Sequence, residues 1–458
     1  MQANYAQLLL AWDRTIESTF TQNEVHMNHA PAVQTSRPFN ADEYSLSNFI
    51  TGQSTDLLQK TALFSDFLGD ATQKGYGQPY LQEALSASAG RIALKQQSGA
   101  RQMIQMNTAN YLGLASHPHV KQTAHRAIEQ YGTSTGGVPL IAGTTDLHKN
   151  LERALASFKG IEDVVLFQTG YAANTGTIPA LVDARDWVVV DKQVHCSILE
   201  GVALSKAKFT SFRHSDPEHL QRRLETIRRR HKQGGILVVV EGVYGIDGDL
   251  PPLPALLAIT RRYDARLLID ECHATGVLGG NGRGVAEHFN LTEPLDLVMD
   301  SLSKVLGSLG GWIGASKEVT DYLRYYAKPI TFSVGLPAVN VASALAALQI
   351  LAADPALTAQ LQANAQFMRT GLQHLGIQSV AQSASAIMSI AVNDEIKVRK
   401  MTAELFQAGL WVEGIPYPAV PRGQERLRLR VNAKHTRADL EQALALLEQT
   451  LCKYSIIG

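Results

Sequence analysis

Lys304 stands where a lysine is costly to keep. The apolar run Leu295 to Met299 reads as a buried strand. Directly after it the chain continues Asp300-Ser301-Leu302-Ser303-Lys304 and turns glycine-rich at Gly307, Gly310 and Gly311. A buried ammonium is expensive unless it is paired or chemically used. An isolated lysine here would be an ordinary solvated loop residue, but three other strand ends argue against that. The run Arg266 to Ile269 leads into Asp270-Glu271-Cys272-His273, and a carboxylate at the mouth of a buried strand needs a cation. Asp270 precedes Lys304 by 34 residues, one strand–helix–strand unit, so both reach one crevice. The run Trp187 to Val190 ends in Asp191-Lys192-Gln193-Val194-His195, which offers an aromatic ring to stack on a flat molecule. The run Asp163 to Phe167 is followed by Gln168-Thr169-Gly170-Tyr171 at a helix start. Backbone N–H groups and the positive dipole end there suit a phosphate.

Singly, each piece has an ordinary reading: Asp270 a helix cap, His195 and His273 structural histidines, Gly170 a common glycine before a helix. Together they match one cofactor. A Schiff-base amine, a carboxylate that keeps a pyridine nitrogen protonated, a stacking ring and a phosphate-binding turn are what pyridoxal 5′-phosphate requires. Lys304 is the expected Schiff-base residue, and His273 an expected donor to the ring 3′-oxygen. The lysine must cycle between imine and free amine, so its pKa is expected to be lowered by burial or by neighbouring positive charge.

The elements that position these residues follow from periodicity. Residues 1 to about 20 carry a helical pattern around Leu8, Leu9 and Trp12, and residues 21 to 45, with Pro31 and Pro38, read as an extended arm. A second helix is expected from Thr55 or Asp56, using Leu57, Leu58, Phe64 and Phe67 and stopping at Gly69, and a third from Tyr80 to Leu94. A turn at Lys95 to Gly99 precedes the strand Met103 to Met106. Short apolar runs then alternate with helices at Asp163 to Phe167, Trp187 to Val190, Lys208 to Phe212, Ile236 to Val240, Arg266 to Ile269 and Leu295 to Val298. That rhythm predicts an α/β fold with a mainly parallel sheet covered on both faces, whose ligands bind at the carboxyl ends of the strands. After residue 330 an alanine-rich helix, a second helix and shorter strands predict a smaller α+β lobe. The expected divisions are residues 1–60 (arm), 61–110 (a segment joining the small lobe), 111–335 (large cofactor domain) and 336–458 (small domain).

Composition excludes several classes. Charges balance at 42 basic and 42 acidic residues, so no global field recruits nucleic acid or an anionic membrane. The arginines of the helix opened by Asp216-Pro217 fall opposite Leu220, Leu224 and Ile227, a solvated face. Three unpaired cysteines (Cys196, Cys272, Cys452) argue for a reducing compartment and no zinc cluster. No secretory signal or transmembrane run is read, Ala344 to Ala353 being a buried helix, so a cytoplasmic location and no metal are expected.

At this point the residues resemble a known family, the α-oxoamine synthases, a branch of the fold-type I pyridoxal-phosphate enzymes, over about residues 100 to 450. Asn107-Thr108-Ala109-Asn110-Tyr111-Leu112-Gly113-Leu114, Glu241-Gly242-Val243-Tyr244 with Gly248-Asp249, Asp270 to Gly276, Ser301 to Lys304 with Gly310-Gly311, and Pro421 to Arg428 are similar to its motifs. The Asp270 to Gly276 string and Gly143 to Lys149 are most similar to the glycine-using 2-amino-3-ketobutyrate CoA ligases of that group. Length and the N-terminal arm are closer to serine palmitoyltransferase; the group also holds the 8-amino-7-oxononanoate and 5-aminolevulinate synthases. The resemblance implies a seven-stranded-type sheet and decarboxylative condensation of glycine, serine or alanine with an acyl thioester, on CoA or an acyl-carrier protein, giving a 2-amino ketone and carbon dioxide. It implies that Lys304 also removes the α-proton and that Asp270 pairs the pyridinium. His195 would stack on the ring and touch the substrate carboxylate. Gly170, Tyr171 and Ser301 would bind the phosphate, with Ser333 reaching it from the partner of a homodimer, and Asn110 and Arg428 would hold the amino-acid carboxylate. Three positions depart from the family: Gly245 and Gly335 stand where serine is usual, and Val138-Pro139 replaces Ser-Arg or Val-Arg after Gly136-Gly137. A transaminase or carbon–carbon lyase would share Lys304 and Asp270, and an inactive regulatory subunit of the same fold is the third reading.

Overall fold

In the computed structural model, which describes residues 39–50, 55–96, 99–231, 233–377 and 384–457, the strands begin with a hairpin, β1 (Arg91–Gln96) and β2 (Gly99–Gln105). The helix expected around Leu8, Leu9 and Trp12, and most of the arm, lie outside the described residues. The helix expected from Tyr80 to Leu94 is not formed. Leu81 and Leu85, the residues at helical spacing, are exposed, whereas the consecutive Ile92, Ala93 and Leu94 are buried in β1. Pairing with β2 and packing into a core have overridden the local pattern. The second helix is displaced toward its C-terminus: it runs Gln59–Gln73, past Gly69, and leaves Leu57 and Leu58 exposed.

The apolar runs form β3 (Asp163–Phe167), β4 (Trp187–Asp191), β5 (Lys208–Phe212), β6 (Ile236–Glu241), β7 (Arg266–Asp270) and β8 (Leu297–Ser301). A further strand, β9 (Gly311–Ala315), occupies part of what reads as a glycine-rich loop. The seven make one sheet in the order β3-β9-β8-β7-β6-β4-β5. Only β9 runs antiparallel to its neighbours. Its glycines have a packing reason: a Cβ on Gly311 would stand 2.6 Å from the backbone N of Gly170, and Gly310 has φ +136°. Helices cover both faces, and β6 is buried at every residue, as expected for strands enclosed on two sides.

The small lobe is a three-stranded antiparallel sheet, β10 (Ile387–Ala391), β13 (Arg426–Arg430) and β12 (Glu413–Ile415), with β13 in the middle. Arg426 is therefore on a central strand, and it pairs with Asp247. β11 (Leu410–Trp411) leaves this lobe to pair in parallel with β2, while Ile104 and Met106 join the lobe's core. Among the described residues no single helix is long and apolar enough to cross a membrane; the alanine-rich helix Ala338–Ala353 is mostly core.

The front of the described chain packs on the same small lobe. Ala41, Phe67, Ala71 and Tyr76 form a cluster with Phe39, Tyr44, Phe49 and Phe64. Arg399, buried on the helix Glu395–Gln407, donates to the carbonyls of Ala41 and Tyr44, each at 3.0 Å, and lies 5.2 Å over the Phe67 ring. Its Glu395 partner is equally enclosed. Removing one member of such a set leaves the others buried and unpaired. Arg399→Ala is expected to lower stability by about 2 kcal/mol in denaturant melts and to expose residues 39–77 to limited proteolysis; an unchanged cleavage pattern would mean the cluster holds without the arginine.

Candidate active site

Parallel strands in one sheet end along one edge, and here that edge carries the polar residues. Asp191, Glu241, Asp270 and Ser301 are the last residues of β4, β6, β7 and β8. Glu241, Asp270 and Ser301 border a cleft of about 520 Å³, into which Lys304, His195, His273, Gly170, Tyr171 and Arg428 also open. A larger groove of about 1100 Å³ lies at the amino ends of β6, β7 and β8, but its charged lining is mixed and no nucleophile converges there. The chemistry belongs to the smaller cleft.

One hydrogen-bonded chain runs under it. Asn174, buried on the helix Gly170–Leu181, donates from Nδ2 to Asp270 Oδ2 at 3.1 Å and to Ser197 Oγ at 3.0 Å. Ser197 Oγ lies 2.8 Å from His195 Nδ1, and the Ser197 backbone N–H donates to the same nitrogen at 3.3 Å. Nδ1 is thereby an acceptor, which leaves the proton of a neutral His195 on Nε2. Burial holds the ring neutral by pushing its pKa down. The carboxylate of Asp270 is only 5% exposed and accepts the Cys272 N–H at 3.0 Å on its other oxygen. Asn174 and Ser197 escaped sequence reading; the available signal was spacing, Asn174 one helical turn beyond Gly170 and Ser197 on the first turn after His195.

His273 is held in the same way. Its Nδ1 lies 2.7 Å from the Tyr111 hydroxyl, and burial, reinforced by the Lys304 charge, drives its pKa well down. Burial raises the Tyr111 pKa, so the phenol keeps its proton to donate and the His273 proton sits on Nε2. Gly245 faces that nitrogen: a Cβ there would stand 2.9 Å from Nε2. Lys304 has neither a hydrogen-bond acceptor nor an ion-pair partner among the described residues. Its pKa differs from expectation: burial presses it down, but the acidic groups around it, Cys272 and Asp270 foremost, outweigh burial and raise it. Glu241 is neutralised by burial and by the Asp270 charge beside it, which together raise its pKa well above the carboxylate range.

Arg428 sits over the cleft with Nε 2.6 Å from Glu413 Oε2 and Nη1 2.6 Å from the Gly245 carbonyl oxygen. Arg430 shares Glu413 and donates to the Asn107 carbonyl. Asn110 is not brought into the cleft: its Nδ2 donates to the Ser88 carbonyl at 2.8 Å. Ser333 is exposed at the end of the short helix Lys328–Phe332 and does not border the cleft of its own chain. Gly335 and the Gly136-Gly137 turn prove to be neighbours. The Gly335 N–H donates to the Gly137 carbonyl at 2.9 Å, and a Cβ on Gly335 would lie 2.4 Å from the Gly143 oxygen. Two of the departures from the family pattern thus face each other across one contact.

The residues fit pyridoxal phosphate: an amine without a partner, a fixed carboxylate, two neutral histidines with Nε2 protons free of the network, and a helix N-terminus beside the Ser301 hydroxyl. A fold of this type with these residues defines a pyridoxal-phosphate-dependent enzyme. The chain belongs to the aminotransferase class I and II family, whose model matches residues 101–447, and within it to the α-oxoamine synthases, which are pyridoxal-phosphate-dependent acyltransferases. It is 40% identical over 369 residues to the 8-amino-7-oxononanoate synthase of Geobacter sulfurreducens, covering 80% of this chain and 93% of that one. With the enzyme of the same name from Thermoanaerobacter pseudethanolicus it shares 37% over 357 residues, 78% and 90% of the two chains. The solved serine palmitoyltransferase of Sphingomonas wittichii superposes with a TM-score of 0.82 at 31% identity, covering 88% of this chain and all of that one.

The Ser197 hydroxyl decides which nitrogen of His195 carries the proton. Ser197→Ala is expected to cost about tenfold in kcat/KM, the worth of one such hydrogen bond, with thermal stability nearly unchanged; wild-type turnover would mean the Ser197 backbone N–H alone suffices.

Proposed function

We propose that this protein joins a small amino acid (glycine, alanine or serine) to an acyl thioester with loss of carbon dioxide, releasing a 2-amino ketone and a free thiol. The observation that carries this reading is the convergence of Lys304, Asp270, His195, His273 and Arg428 on one cleft. The name of the sequence relatives adds to it: 8-amino-7-oxononanoate is itself a 2-amino ketone, with the methyl-bearing carbon that alanine would supply. The solved relative is named for serine and a palmitoyl group, so alanine and serine are the first amino acids to try.

When bound, pyridoxal phosphate draws electrons from the α-carbon of the amino acid attached to it. The protein's part is to hold and to direct. Asp270, oriented by Asn174 and the Cys272 N–H, would pair with the pyridine nitrogen and keep it protonated. His195 covers one side of the ring, its Nε2–H available to the substrate carboxylate. His273 donates from Nε2 to the 3′-oxygen, in the space that Gly245 leaves free. Gly170, Tyr171 and Ser301 bind the phosphate at a helix N-terminus. Lys304 would hold the cofactor and, as a free amine, carry the α-proton; its raised pKa makes that amine the stronger base. Arg428 retains N–H groups beyond those given to Glu413 and Gly245, and a guanidinium fork suits a carboxylate. Fixing that carboxylate orients the bond to be broken, which is where positioning contributes most.

The protomer also supports assembly as a homodimer. Tyr325, Tyr326, Phe332 and Val334 are exposed large apolar side chains close to Ser333 in the chain, the kind of surface that marks an interaction site. A second copy covering it would bring Ser333 toward the partner's phosphate site.

Two experiments test these readings. Lys304→Ala is expected to fold but to lose all cofactor that borohydride fixes to the chain; retained fixation would move the lysine role elsewhere. With the unaltered protein, titration by alanine, serine and glycine and then by acyl-CoAs is expected to shift the visible absorbance with one amino acid and to release thiol with one acyl donor. A response to amino acids with no thiol from any CoA ester or acyl-carrier protein would instead identify a transaminase or lyase. For the assembly, light scattering is expected to give twice the chain mass, falling to the single chain in Phe332→Glu, and a monomeric unaltered protein would reject the shared site.

A further inference from the structure

Behind the cleft one histidine is enclosed by two carboxylates. β5 ends at Phe212, and His214 follows with Nδ1 2.9 Å from Asp191 Oδ1 and Nε2 2.7 Å from Asp249 Oδ2. A neutral imidazole has one N–H, and both of these contacts need a donor. Burial opposes the second proton, but the two carboxylates outweigh it and raise the pKa to about 10. The titratable groups facing the ring are Asp191 at the end of β4 and, on the loop after β6, Asp249 and Tyr244, whose ring meets it edge-on at 4.4 Å.

Each carboxylate closes a different part of the active site. Asp191 is completely buried, and it accepts the Gln193 N–H at 2.8 Å and the Ser215 N–H at 2.7 Å while its carbonyl accepts that of Val194 at 3.3 Å. It therefore closes the tight turn that ends in His195, the cap of the helix Cys196–Ser205. Asp249 closes the loop 242–249: its carbonyl accepts from the Tyr244 N–H at 3.0 Å, and Gly248 donates to the Tyr244 carbonyl at 2.8 Å. Within that loop Gly245 offers its carbonyl to Arg428 and its N–H to Glu241 Oε2 at 3.3 Å.

We propose that His214 is a positioning residue that ties the His195 turn to the Gly245 loop, so that the ring covering the cofactor and the arginine facing the amino acid are held in register across the cleft. The inference rests on the roles given above to His195 and Arg428. Without the imidazolium, Asp191 and Asp249 become like charges facing one another with nothing between them, and the two loops are pushed apart. The pKa of His214 lies above the ordinary value near 6.5, so its stabilising contribution is complete below that value and is lost as pH rises through about 10.

The test uses the holoenzyme of His214→Gly with and without added imidazole. Its amino-acid affinity, read from the visible absorbance, is expected to fall about tenfold or more, as for loss of a charged hydrogen-bond pair, together with the circular dichroism of the bound cofactor. Millimolar imidazole should restore both, whereas 1-methylimidazole, which presents only one N–H when protonated, should not. Wild-type affinity and dichroism in the variant, or equal rescue by the two compounds, would overturn the proposal, because simple space-filling predicts equal rescue. Should His214→Gly not fold, Asp249→Asn keeps the shape and removes the charge; it is expected to weaken amino-acid binding in the same direction, and unchanged binding and dichroism would again overturn the proposal. If the unaltered protein responds to no amino acid, the substrate reading fails, and the dichroism comparison still decides the role of His214.

Discussion

The structure turns on the grip on one carboxylate buried inside a sheet that is covered on both faces. Asp270 ends β7 with helices above and below, where a polar group is costly unless it is hydrogen-bonded. Its next-strand neighbour shows the alternative: Glu241, paired in register with Asp270, is pushed to the neutral form. Asp270 differs in being gripped on both oxygens, by Asn174 on one and by a backbone N–H on the other. Asn174 can do this only because the helix Gly170–Leu181 packs close to the sheet, and the glycines that begin β9 are what permit that approach. The same amide then fixes Ser197, and through it the proton on His195. The helix Gly170–Leu181, the Asp270 carboxylate and the His195 ring are thus set relative to one another by one buried side chain.

Much of this was legible in the sequence because the sheet is parallel. Parallel strands are short apolar runs, they end at one edge, and a polar residue directly after such a run is conspicuous; Lys304, Asp270, His195 and Gly170 were all found in this way. What escaped was whatever depends on contacts between distant segments. β9, Gly-Trp-Ile-Gly-Ala, is a short glycine-containing strand that takes its conformation from β3 and β8. The segment Tyr80 to Leu94 carries helical spacing but is drawn into a hairpin by β2. Asn174, Glu413 and Glu241 are ordinary residues until the fold sets Asp270, Arg428 or a neighbouring carboxylate beside them. The upward shift of Lys304 is hidden for the same reason: burial alone predicts a fall, and of the acids that reverse it only Asp300 is near in sequence, the others coming from two distant stretches of chain.

The alternating arginines of β13 show how one pattern serves two purposes. Arg426 pairs with Asp247, Arg428 reaches the Gly245 carbonyl and Arg430 the Asn107 carbonyl. Arg426 and Arg428 therefore fasten the small lobe to the large domain, Arg430 ties in the segment after β2, and Glu413 on the adjacent strand holds Arg428 and Arg430 in place. A substrate carboxylate that engages Arg428 draws on the same five N–H groups that hold Gly245 and Glu413. Amino-acid binding at Arg428 would then share one guanidinium with the attachment of the lobe, and any rearrangement of Arg428 toward a carboxylate would act on the loop that carries Gly245. That loop is anchored at its far end by Asp249 and His214, so the cost of the rearrangement falls on the link between the small lobe and the loop, while the His195 turn keeps its place over the cofactor site.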